Sequence, residues 1–104
     1  MGDKKVSNMT GGTISVTLLV RGGDDPSSHG GYEQLDLAAN QSLEKSYGGK
    51  FLNGYVIGGR VGTTTVFTQA AVNQRGDGVD GLLNANDKLL VLMENGALKV
   101  TNGG

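Results

Sequence analysis

The 104-residue sequence predicts a single all-β domain over residues 1–104, a small β-sandwich or barrel of about seven short antiparallel strands joined by Gly-rich turns. Three observations carry the prediction. Apolar residues recur with period two, as Ile14, Val16, Leu18 and Val20 do against Thr13, Ser15, Thr17 and Leu19. Nineteen glycines and one proline imply many tight turns and little helix. Turn signals, among them Asn53-Gly54 and Asn95-Gly96, recur at roughly ten-residue intervals.

Lys4 to Val20 reads as a hairpin turning at Gly11-Gly12. Its first arm, Lys5–Met9, is polar and is expected at a sheet edge. Arg21 to Gly31 is a loop by composition, with four glycines, the one proline, two aspartates and two serines.

Tyr32 to Tyr47 supports two readings. Leu35, Ala39, Leu43 and Tyr47 fall at helical spacing, so a short helix near residues 35–47 is one of them. Strand–turn–strand, with Ala38 to Gln41 as the turn, is preferred because the rest of the chain reads as β.

Asn53-Gly54 then predicts a tight hairpin that pairs Leu52 with Tyr55. Val61 to Val72 is a strand, carried by the β-branched run Thr63-Thr64-Thr65-Val66. Asn73 to Asp87 is a second long loop, which Leu82-Leu83 should tuck against the core.

Leu89 to Thr101 gives the clearest hairpin. Asn followed by Gly tolerates the two positive φ angles of a type I′ turn. With Asn95-Gly96 as the turn, Glu94 faces Ala97, Met93 faces Leu98 and Val91 faces Val100. The first arm is apolar on both faces and belongs inside its sheet, and the second lies nearer an edge.

Composition removes several functional classes. There is no cysteine, hence no disulfide framework, thiolate metal site or cysteine nucleophile. The net charge of −1 offers no basic field to nucleic acid. No apolar run approaches a membrane span, and Met1–Lys5 leads into polar sequence rather than a signal h-region. The sequence therefore reads as cytoplasmic, with export to the surface or exterior by a non-standard route left open.

Several features bear on candidate chemistry. Arg75-Gly76-Asp77 presents a cation and a carboxylate from a turn, the pattern integrins read in adhesion proteins. Asp77, Asp80, Asn84 and Asp87 supply hard oxygens on the same loop, but Val79 and Lys88 stand where an EF-hand needs ligands. Asp24, Asp25 and His29 form a second polar cluster, but with a single histidine in the chain a zinc site there lacks its usual nitrogen or sulfur partners. Tyr47 and Tyr55 are candidates for a stacking face. Asn8-Met9-Thr10 is a formal glycosylation sequon. Gly54 to Arg60 fails as a P-loop because arginine replaces the lysine.

With two long polar loops on a β scaffold and no convincing catalytic constellation, the sequence reads as a non-catalytic binding or structural module. It would act through its Gly/Asp-rich loops on a protein or glycan, with Arg75, Asp77, Asp80 and Asp87 as binding residues. No cofactor or metal is assigned. Two further readings are a small metal-dependent or hydrolytic enzyme built on Asp24, Asp25 and His29, and a subunit of a surface assembly pairing through an exposed strand edge such as Lys5–Met9.

Overall fold

A computed structural model describes residues 3–21, 29–46, 52–72, 74, 78–84 and 88–102. Among these residues the chain forms strands β1 (Asp3–Met9), β2 (Thr13–Arg21), β3 (His29–Leu37), β4 (Ser42–Ser46), β5 (Leu52–Val61) and β6 (Thr64–Ala71). A short helix α1 (Gly78–Asn84) and strands β7 (Lys88–Glu94) and β8 (Ala97–Asn102) follow. They build two four-stranded sheets, β4-β1-β7-β8 and β3-β2-β5-β6. The all-β expectation therefore holds, with one departure in direction: β1 and β7 run parallel.

The inner faces meet in one core. Val6, Leu89 and Val91 come from the first sheet, and Ile14, Val16, Leu18, Leu35, Leu37 and Ile57 from the second. Strand alternation explains the selection, since Thr13, Ser15 and Thr17 take the opposite face of β2. Leu83 of α1 is fully buried in the same cluster and closes one end of it. Burying such a leucine contributes about 1.5–3 kcal/mol.

The two ends of the sandwich differ. One carries short turns at 10–12, 38–41, 62–63 and 95–96. At the other lie Asp3 of β1, Arg21 of β2, Leu52 of β5, Lys88 of β7 and the helix α1. Arg21 pairs with His29 and Asp3 with Ser46, so the first residue of β3 and the last of β4 also lie at this second pole, the loop pole.

The β7–β8 hairpin forms in the expected register, from Glu94↔Ala97 through Val91↔Val100. Asn95 and Gly96 both take positive φ, at 53° and 82°. Strand β7 is interior and β8 is an edge, as the apolar pattern requires. Residues 29–46 are strand–turn–strand, not helix, although the turn carries the chain from one sheet to the other.

Four expectations are corrected. Lys5–Met9 is not an edge: β1 pairs with β4 on one side and β7 on the other. Gly11-Gly12 does not close a hairpin, because β1 and β2 belong to different sheets. Asn53-Gly54 is not a turn but part of β5, where Gly54 pairs with Leu19 and Ala71. A Cβ on Gly54 would stand 2.6 Å from the Ala70 carbonyl oxygen, so glycine is needed there for close strand approach. Lastly, the second long loop contains α1, whose Leu83 fulfils the tucking role.

Asn8 explains how a polar strand occupies the middle of a sheet. Its side chain is fully buried between the layers. Nδ2 donates to the carbonyls of Gly12 at 2.7 Å, Ala38 at 2.9 Å and Leu37 at 3.2 Å. Oδ1 accepts from the Thr10 amide at 3.0 Å and the Thr10 hydroxyl at 2.6 Å. One carboxamide thus holds both turns that cross between the sheets at this end, with its buried polar atoms satisfied.

Candidate functional site

The loop pole is organised by a buried cation. Arg21 ends β2 with its side chain only 2% exposed. Nη2 donates to Asp80 Oδ1 at 2.8 Å and to the Leu52 carbonyl at 3.3 Å, and Nε donates to Asn53 Oδ1 at 3.3 Å. Asn84, one helical turn beyond Asp80, donates to the same Asp80 oxygen at 2.8 Å. The buried Lys4 ammonium donates to the Leu83 carbonyl in the last turn of α1, where the helix carries partial negative charge. So helix and strands are joined at this pole by charge-assisted hydrogen bonds.

These contacts define what the predicted site residues do. The carboxylate of Asp80 faces the Arg21 guanidinium and fixes α1 in place. Arg75, Asp77 and Asp87 lie outside the described residues, as do Asp24 and Asp25. His29 is the first residue of β3 and pairs in register with Arg21. Among the described residues, no three His, Cys, Asp or Glu side chains gather as a metal set. Asn8 of the sequon is fully buried and already hydrogen-bonded, so the folded chain does not present it for glycosylation.

A different surface offers exposed recognition chemistry. On the outer face of β3-β2-β5-β6, one row of paired positions runs Tyr32, Leu19, Gly54 and Ala71. The next runs Gln34, Thr17, Val56 and Gln69, and the one after it Asp36, Ser15, Gly58 and Phe67. Tyr32 is 69% exposed and Phe67 is 62% exposed. The two rings stand at opposite edges of the same sheet face.

Strands β2, β5 and β6 also form an open groove of about 370 Å³, lined by Leu19, Tyr55, Val56, Gln69, Ala70 and Ala71 but by neither exposed ring. Two of the lining residues, Tyr55 and Ala70, are cross-strand partners that alternate to the inner face of the sheet. Burial raises the Tyr55 hydroxyl pKa above its ordinary value. A Cβ built on Gly58 would meet Phe67 Cδ1 at 3.6 Å, so the Phe67 ring lies against the bare backbone of its cross-strand partner. Strand spacing puts Tyr32 and Phe67 about 14 Å apart across the sheet and about 13 Å along it, or about 20 Å on the diagonal.

Of the two tyrosines named from sequence, Tyr55 points inward and Tyr47 lies outside the described residues. No sequence pattern pairs Tyr32 with Phe67, because they are far apart in the chain and share one face only through β2 and β5. The local signal for Phe67 was the alternation within Val61–Val72, which sets it opposite to Val66. Comparison with family models, curated proteins and solved structures finds no match to this chain.

Proposed function

We propose that the chain is a non-catalytic binding module that holds an extended, neutral glycan against the outer face of β3-β2-β5-β6. The observation that carries the reading is the exposure of Tyr32 and Phe67 on one face of one sheet. Aromatic rings offer broad apolar faces on which the C–H faces of sugar rings can rest. Between them the side chains are short hydroxyls (Ser15, Thr17) and amides (Gln34, Gln69), groups that exchange hydrogen bonds with sugar hydroxyls without demanding charge. Asp36 and Arg60 supply one charge of each sign to this face, which favours a neutral ligand. The described part of the loop pole, by contrast, is engaged in its own hydrogen bonds.

The test is a titration of the ¹⁵N-labelled chain with soluble neutral polysaccharides such as xylan, mannan and mixed-linkage glucan. Amide shifts should concentrate on Leu19, Tyr32, Val56 and Phe67. Tyr32→Ala and Phe67→Ala should each weaken binding by about tenfold, the loss of roughly 1–2 kcal/mol of ring contact. Shifts confined to other regions, or none with any polysaccharide, would remove the reading.

A further inference from the structure

The four sheet edges are not protected alike. Strand β4 is five residues long and carries Glu44 and Lys45. Strand β8 carries Lys99, and β3 carries Glu33 and Asp36. Strand β6 is an eight-residue edge, Thr-Thr-Val-Phe-Thr-Gln-Ala-Ala, with no charge, proline or glycine. Natural edges of this length are normally blunted by charge, proline or a bulge, because unpaired N–H and C=O groups recruit further strands. Threonine, valine and phenylalanine add strong strand preference. Its ladder with β5 runs unbroken from Gly54↔Ala71 to Val61↔Thr64, so no bulge turns the edge away.

We infer that β6 is an assembly edge and that its occupant is β6 of a second copy of this chain. A two-fold axis normal to the sheet preserves the two faces, so it must pair residues of like parity. Centred on Phe67, it sets Thr65 opposite the partner's Gln69 and Val66 opposite the partner's Thr68. It also sets Phe67 beside the partner's Phe67, an aromatic cross-strand pair of the kind that stabilises antiparallel ladders. Nothing along the seam repels, since every paired position is uncharged. The nearest charge on β8, Lys99, is held by Glu94 at 2.9 Å. The result is a continuous eight-stranded sheet whose outer face carries two grooves related by symmetry. This inference rests on the edge itself and holds whatever the face binds.

Sedimentation velocity from micromolar to millimolar concentration tests it. The wild-type chain should shift reversibly from the mass of one chain to that of two. Thr65 and Gln69 are exposed outer-face positions, so substitution there leaves the core intact. In T65K/Q69K each introduced lysine opposes another across the seam, and the chain should stay monomeric throughout. In T65K/Q69E the introduced lysine opposes the partner's introduced glutamate, and dimer should return. Thermal melts of both variants check folding, and slowed amide exchange along β6 at high concentration reports the seam without any substitution. A strict wild-type monomer overturns the inference. So does a dimer or larger species that T65K/Q69K leaves intact, as with pairing through another surface. Failure of T65K/Q69E to restore association overturns the Phe67-centred register.

Discussion

Asn84 and Leu52 hydrogen-bond each other twice. The Leu52 amide donates to Asn84 Oδ1 at 2.7 Å, and Asn84 Nδ2 donates back to the Leu52 carbonyl at 2.9 Å. A helix side chain thereby plays the part of a neighbouring strand for the first residue of β5. The reciprocal pair anchors α1 to the sheet, giving the Leu52 amide an acceptor and its carbonyl a second donor beside Arg21.

Removing that anchor should loosen α1 before it unfolds the sandwich. Asn84→Ala is expected to lower stability by about 1–3 kcal/mol, the cost of stripping partners from partly buried backbone groups. Hydrogen exchange at the Leu52 amide should accelerate far more than at Ile57, in mid-strand of the same β5. Equal acceleration at both positions would show that helix and sheet open as one unit.

Arg21 and Asp80 should behave as a coupled pair. Their side chains are 2% and 18% exposed, so removing either strands the other away from water. Arg21→Met or Asp80→Ala alone is expected to cost about 3 kcal/mol or more. The double variant should cost clearly less than the two single losses together, as urea melts in a double-mutant cycle would reveal. Arg21→Lys should not rescue, since one ammonium cannot reach Asp80, Asn53 and the Leu52 carbonyl with the geometry of the guanidinium fork.

Two neighbouring glycines should respond oppositely to alanine. A Cβ at Gly59 would lie 2.3 Å from the Thr13 carbonyl oxygen and 2.8 Å from Ile14 Cα, both backbone atoms that cannot step aside. Gly59→Ala is expected to destabilise by about 1–3 kcal/mol through overpacking. At Gly58 the nearest atom is Phe67 Cδ1 at an ordinary 3.6 Å. Gly58→Ala should be neutral or mildly stabilising, because it lowers the entropy of the unfolded chain. Thermal melts of the two variants side by side decide the point.

Tyr55 sets a limit at high pH. Its folded pKa is raised by burial, so the unfolded chain releases the phenolic proton first. The associated stability is present below the unfolded value near 10 and is lost as pH climbs through the folded value. Melting temperatures should fall above about pH 10, and Tyr55→Phe should flatten that fall. A slope unchanged in Tyr55→Phe would assign the loss to other groups.

How much of this was legible in the chain depends on where polar residues point. The β7–β8 hairpin was readable to its register because Asn95-Gly96 fixes the turn and Leu89 and Val91 fix the face. Strand β1 was misplaced because its inner face is Lys4, Val6 and Asn8, and only Val6 looks like a core residue. Lys4 is buried against the distant Leu83 carbonyl, and Asn8 ties its own 10–12 turn to the distant carbonyls of Leu37 and Ala38, partners that no local pattern announces. Asn53-Gly54 carries the same dipeptide as the true turn, yet Asn53 is buried against Arg21 and Gly54 against β6. Helix α1 has seven residues, two of them glycines, so its helical character comes from tertiary anchoring rather than propensity. The exposed pair Tyr32 and Phe67 is a property of strand order, which one sequence does not reveal.

The parallel ladder between β1 and β7 also imposes an order in time. Its register joins Lys5 to Lys88, and the other partner of β1, β4, is itself remote in the chain. Strands β2 and β3 pair with each other, as do β5 and β6, so half of the sandwich can assemble from sequential neighbours. The other half cannot close until β7 exists. At ribosomal speeds of roughly 5–20 residues per second, β1 waits ~4–16 s for that partner. Folding limited by such distant pairing belongs to the millisecond-to-second class of β proteins. During that interval the burial of Lys4 and Asn8 is also deferred, so the polar character that disguised β1 in the sequence keeps it soluble while it waits.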